Sequence, residues 1–194
     1  MNNHNLYGTD YAEFSAEKAQ DRKVLREAID DYIVNVRHQF SEMPANVARD
    51  TLLSEYNYQV RSQLKSCRKF GLTISPGDCC YIDFGRAYLS EVAYQHFGLV
   101  INVFNSKAFV IPMTSNSHAY EMAYDEKENP DGLKHLMRLG RIEGLSRCSV
   151  LFLNDGKYIN TARIIDVKAH LDTESELFRE IYQRFLKTLD YRNK

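Results

Sequence analysis

The chain has little of what would place it outside the ordinary run of compact proteins. Its longest apolar runs, such as Phe97–Val100 and Ala108–Met113, are far too short to cross a bilayer, so no membrane role is expected. The opening MNNHNLYGTD has neither a basic segment nor an apolar one and does not read as a signal peptide. A basic surplus is also missing: 25 Lys and Arg stand against 26 Asp and Glu, a formal net charge of −1. Any nucleic-acid surface must therefore come from local clustering of cations. Cys67, Cys79, Cys80 and Cys148 show no CxxC spacing, which argues against a paired-cysteine zinc site. All four are expected to be reduced thiols in a cytoplasmic protein. There is no Gly-rich phosphate loop, no His-x-x-x-His pair, no repeat and no low-complexity tract, so no metal and no cofactor are expected.

What is present is 194 residues, 44% hydrophobic and 26% charged, enough to bury a core without staples. Leu25, Ala28, Ile29, Tyr32, Ile33, Val36 and Phe40 recur at helical spacing. Ser41-Glu-Met-Pro44 ends that helix, and Pro44 suits the first turn of the next. Leu53, Tyr56, Val60, Leu64 and Cys67 then form one stripe. Two such helices suggest an antiparallel hairpin that closes near Gly71. Ser75-Pro76-Gly77 is a turn signal and sets a boundary between residues 1–74 and 75–194.

Beyond the boundary the period changes. Cys80–Phe84, Phe97–Phe104 and Ala108–Met113 read as strands, with Asn105-Ser106 as a tight hairpin turn because Asn tolerates positive φ. Cys79 and Cys80 should point to opposite faces. Asn116–Gly144 is polar and reads as a long surface excursion with one short helix around Leu133–Arg138. Ser149–Leu153 and Tyr158–Val167 are two further strands, split by Asn154-Asp155-Gly156. Thr173-Glu-Ser-Glu176 has the capping-box pattern and opens a terminal helix buried through Leu177, Phe178, Ile181, Phe185 and Leu189. These elements imply an α+β fold: a small barrel with an N-terminal helical hairpin and a C-terminal helix.

Residues 77–91, Gly-Asp-Cys-Cys-Tyr-Ile-Asp-Phe-Gly-Arg-Ala-Tyr-Leu-Ser-Glu, resemble the opening of the MazF/PemK toxin family, with Gly77, Asp78, Asp83, Ser90 and Glu91 in register. Phe97-Gly-Leu-Val-Ile101 resembles that family's second strand. Val110-Ile-Pro-Met-Thr-Ser115 resembles the strand ending in Pro-x-Thr-Ser that MazF-like and ToxN-like toxins share. Leu153-Asn-Asp155 and Thr161-Ala-Arg-Ile164 resemble the late strands. The likeness covers roughly residues 75–170 and leaves the helical hairpin unexplained. It implies an SH3-like, MazF/PemK-like barrel and a metal-independent endoribonuclease that leaves 2′,3′-cyclic phosphate and 5′-OH ends. One departure stands out: where MazF relatives carry an Arg-Pro pair at the head of strand two, this chain has His96-Phe97. The type III, ToxN- and CptN-like branch also lacks that pair, so the resemblance leans towards it and towards an RNA antitoxin. The alternatives are a MazF-like enzyme with a protein antitoxin, a CcdB-like gyrase poison that cleaves nothing, and an inactive RNA-binding module. Relatives form dimers or toxin–RNA rings, so a homo-oligomer or such a ring is expected.

Cleaving RNA without a metal requires a base for the 2′-OH, an acid for the leaving 5′-oxygen and donors for the charged phosphorane. His96 suits a general acid or base, or a cationic phosphate contact in place of the family's Arg. Thr114 and Ser115 align with the Thr-Ser that holds the phosphate in relatives. Tyr88 and Tyr94 offer faces on which bases could stack. Glu91 could orient His96 or bind a base edge, and Asn116, His118 and Arg86 are candidate RNA contacts. Asp83 and Asp78 read as structural, and Arg163 as either a phosphate contact or a barrel tie. Arg61, Lys65, Arg68 and Lys69 share one flank of the second helix and would take an RNA antitoxin's backbone.

Overall fold

The computed structural model describes residues 18–190, which fall into two compact units divided between Arg49 and Asp50. In the first unit, helix α1 spans Lys23–Glu42 and buries no residue completely. Ile29, Tyr32 and Ile33, three of the residues that recur at helical spacing, are exposed. Met43 closes α1, and the carbonyl of Pro44 accepts the first bond of α2 (Ala45–Arg61) from Ala48.

The second unit begins within α2. This helix ends at Arg61, earlier than the sequence pattern suggests, and Leu53, Tyr56 and Val60 on its apolar stripe are exposed. The residues it buries are Thr51 and Ser54, because they meet a polar patch of the sheet. A 3-10 turn at Cys67–Phe70 follows, capped by Ser66, so Lys65, Arg68 and Lys69 do not continue a helical flank with Arg61.

The sheet strands are β1 (Asp78–Asp83), β2 (Gln95–Phe104), β3 (Lys107–Thr114), β4 (Ala123–Tyr124), β5 (Leu133–Gly140), β6 (Ser149–Phe152), β7 (Lys157–Asn160) and β8 (Ile164–His170). They run in the order β4-β5-β6-β3-β2-β1-β8, with β7 paired to the free stretch of β3. Among the described residues no ladder joins β4 to β8, so the expected barrel does not close by strand pairing. The gap is bridged by the segment after β5: a Cβ on Gly144 (φ +90°) would lie 2.8 Å from the carbonyl oxygen of Lys168 on β8. Only glycine fits that approach.

Strand β2 is buried on both faces, as Leu99 and Ile101 join one core and Val100 the other. Helix α4 (Glu176–Leu189) covers the first core with Phe178, Ile181 and Phe185. Its N-cap is Ser175, whose hydroxyl accepts from Phe178 N at 3.2 Å, rather than Thr173. Asp172 takes the Glu174 amide and its carbonyl takes the Ser175 hydroxyl, which moves the helix start forward.

Two further expectations change. Leu133–Arg138 belongs to a strand, because Leu136 and Met137 pair with Phe152 and Leu151 of β6. The short helix of this region is instead α3 (Ser117–Met122). The stretch from Tyr158 to Val167 divides into β7 and β8 around a 3-10 turn, whose Ala162 amide is capped by the Asn160 side chain. The Asn105-Ser106 turn is as read, with φ of 47° and 66° at its two residues.

Candidate functional site

Across the β2–β3 ladder Phe97 faces Met113 and Gly98 faces Pro112. Continued by one residue, that register brings His96 level with Thr114, on the same side of neighbouring strands. The His96 Nδ1 lies 2.7 Å from the carbonyl oxygen of Ala93. A carbonyl can only accept, so Nδ1 carries the proton and the exposed ring leaves Nε2 as its free nitrogen. The Thr114 hydroxyl accepts from the Asn116 amide at 3.2 Å, and the exposed Ser115 follows it.

Thr114 and Ser115 line a cavity of about 250 Å³, walled by Phe97 and Met113 and closed by Arg147 and Lys168, among others. Arg147 is exposed, and its guanidinium has no ion pair or hydrogen bond among the described residues. The Lys168 ammonium is hydrogen-bonded to Asp166 and holds that carboxyl below its usual range. The cavity therefore joins hydroxyls to two cations, a donor set suited to a phosphate group. Neither cation was picked out from the sequence. Arg147 reaches the site through topology alone: it lies three residues before Val150, which pairs with Thr114.

The other candidate residues are dispersed. Glu91 caps its own loop, accepting from the Tyr88 amide at 3.3 Å, while Ala93 orients His96. Tyr88 is 87% exposed at the tip of that loop. Tyr94 is half-buried, and its hydroxyl accepts from Thr51. Asn116 caps α3, accepting from the His118 and Ala119 amides, and His118 is exposed in the first turn.

Arg61 and Arg86 lie with Arg163 around a second, larger cavity of about 480 Å³. At its base is Asp83, 4% exposed, whose carboxylate accepts from Ser54 at 2.8 Å, Asn57 at 2.7 Å, Gln95 at 3.3 Å and the Gly85 amide at 2.9 Å. Asp83 is structural, as read, but three of its four donors are side chains. Asp78 likewise holds a turn, accepting from the Ser75 amide at 2.7 Å and meeting His170 Nδ1 at 2.8 Å. Arg163 ties the sheet end by donating to the carbonyls of Asp83 and Phe84.

All four cysteines are free. Burial, helped by the Asp78 carboxylate, pushes the Cys79 thiol up to about 12 and Cys80 in the same direction. They sit in separate cores, on opposite faces of β1 as expected. Among the described residues no cluster of three or more His, Cys, Asp or Glu is placed to hold a metal ion. No described helix is long and apolar enough to cross a membrane.

No protein-family model matches the chain, and neither does any curated protein. Among solved structures it is similar to MazF from Deinococcus radiodurans (14% identity, 61% of this chain and 97% of that one, TM-score 0.46). It is also similar to the MazE–MazF structure from the same organism (13% identity, 62% and 98%, TM-score 0.43). A third is the Mycobacterium tuberculosis toxin MazF-mt6 (11% identity, 58% and 96%, TM-score 0.41).

Proposed function

We propose that the chain is an endoribonuclease toxin of a toxin–antitoxin pair, cutting single-stranded RNA at the site formed by His96, Thr114, Ser115, Arg147 and Lys168. The observation that carries this reading is the β2–β3 register, which brings an imidazole with a free Nε2 level with Thr114, a residue that lines the cation-bearing cavity although His96 itself does not. Nε2 removes the 2′-OH proton, and the 2′-oxygen attacks phosphorus. The bond to the 5′-oxygen breaks, leaving a 2′,3′-cyclic phosphate and a 5′-OH that takes its proton from solvent. Thr114, Ser115, Arg147 and Lys168 hold the phosphate and carry the charge that builds on it. Arg147 thereby supplies the guanidinium that is absent from the head of β2.

The surface also bears on the antitoxin. The basic flank expected to hold an RNA antitoxin does not form, because α2 stops at Arg61. Leu53, Tyr56 and Val60 instead leave apolar area uncovered on α2, which a protein covers better than a polyanion does. A protein antitoxin is therefore the preferred partner.

The test is incubation with a long mixed-sequence RNA in EDTA, beside His96→Ala and Thr114→Ala/Ser115→Ala variants of equal thermal stability. Discrete fragments with cyclic-phosphate ends, lost in the variants, are expected. Intact RNA from folded wild-type protein would sink the reading.

A further inference from the structure

The larger cavity has no part in the chemistry described above, yet three arginines line it. It is framed by the C-terminal half of α2, the start of the β1–β2 loop and the 3-10 turn before β8. Arg61 uses Nη1 for the carbonyls of Ala162 (3.1 Å) and Ile164 (3.0 Å) and stacks on Phe70, 4.0 Å from the ring centroid. Arg163 uses Nη1 in the same way, on Asp83 and Phe84. Main-chain carbonyls fix these two guanidinium groups without neutralising them, and each keeps Nη2 and Nε for another acceptor. Arg86 is the third, with Nε 3.1 Å from Glu55 Oε1 and its terminal nitrogens left over.

Charge defines what fits. Three arginines against Glu55 and Asp83 leave a formal surplus of one positive charge. One phosphodiester link supplies the matching single negative charge, and fixed guanidinium forks suit its two free oxygens. The rim carries Tyr58, 65% exposed, as an aromatic face. A phosphodiester beside an aromatic face describes single-stranded nucleic acid rather than a free polyphosphate.

The position agrees with this. Gln95 bonds Asp83 at the base of the cavity, and the next residue of β2 is His96. The recess and the imidazole thus lie at the same end of β2. We propose that this cavity is a flanking subsite for single-stranded RNA: Arg61, Arg86 and Arg163 hold one phosphodiester while Tyr58 stacks the adjoining base. The assignment rests on the ribonuclease reading for the RNA's path, but the binding it describes is measurable without cleavage.

The experiment is fluorescence anisotropy of a fluorescein-labelled, 20-nucleotide mixed-sequence RNA with the full chain carrying His96→Ala, in EDTA at low salt. Adding Tyr58→Ala and Arg86→Gln should weaken binding roughly tenfold or more and lower the salt slope by about one. Adding Glu55→Gln should tighten it severalfold, a gain that a damaged fold would not produce. Arg61 and Arg163 are left intact because they hold the main chain. RNA bound equally well by all of these proteins would overturn the subsite and leave the nuclease reading standing. An equal loss of affinity for heparin would also overturn it, since the site would then be a general anion trap. If the His96→Ala protein bound no RNA, the subsite and the ribonuclease reading would fall together.

Discussion

Phe97 faces Met113 across the β2–β3 ladder, and this one pairing sets His96 level with Thr114. A slip of one residue would send the two side chains to opposite faces. His96→Ala should therefore lower the cleavage rate by about 10²- to 10⁴-fold, the usual worth of a placed acid or base. Thermal unfolding should be unchanged, because the ring is exposed and its one bond is to a loop carbonyl. Single-turnover cleavage beside a melting curve checks both. A rate within threefold of wild type would remove His96 from the chemistry.

Arg147 is exposed and has no ion pair among the described residues, so removing it should disturb little besides charge at the cavity. Arg147→Gln should slow cleavage by about tenfold or more while leaving the melting temperature in place. Arg147→Lys should recover part of the rate, since it restores charge without the fork. Equal rates for all three would show that the phosphate lies elsewhere.

Elements whose signal was local were legible in the sequence. Asn105-Ser106 announced its turn, and the β-branched runs of β2 and β3 announced their strands within two residues of the observed bounds. What failed was set by distant partners. Leu133, Leu136 and Met137 have helical spacing, yet pairing with β6 makes them a strand. The apolar stripe of α2 suggested a buried face, whereas Asp83 draws the helix onto its polar side through Ser54 and Asn57. At the candidate site, His96, Thr114 and Ser115 were singled out by their likeness to the family's strand-head and Pro-x-Thr-Ser motifs. Arg147 was not, because only the β3–β6 pairing brings it there.

The Asp83 cluster joins α2 to the sheet through neutral donors. Removing the carboxylate would leave several of those donors unpaired in a buried place. Asp83→Ala should cost about 3 kcal/mol or more of stability. Asp83→Asn should also be destabilising, since its amide would set donors against Asn57 and Gln95. Urea unfolding of the two variants, followed by circular dichroism, is the check. A loss below about 1 kcal/mol in Asp83→Ala would mean that α2 is held by other contacts.

Cys79 and Cys80 make stability sensitive to alkali. Burial comes first among the causes and the Asp78 carboxylate second, and together they raise the Cys79 thiol from its usual value near 9 to about 12. Cys80 moves the same way for the same leading reason. Between these limits the unfolded chain has lost the thiol protons and the folded chain retains them. The unfolded state then binds fewer protons, so stability must fall as pH rises. The contribution is fully present below about pH 9 and declines progressively towards pH 12. Tyrosine and lysine ionisation also act in this range, so the informative quantity is a difference between proteins. Cys79→Ala/Cys80→Ala should start less stable at neutral pH, because each substitution removes a buried sulfur, and should lose less stability between pH 9 and pH 11. Below pH 9 a thiol reagent should modify exposed Cys148 at once and reach Cys79 and Cys80 only as fast as the fold opens. Parallel stability curves for the two proteins across that alkaline range would show that these thiols titrate alike in the folded and unfolded chains.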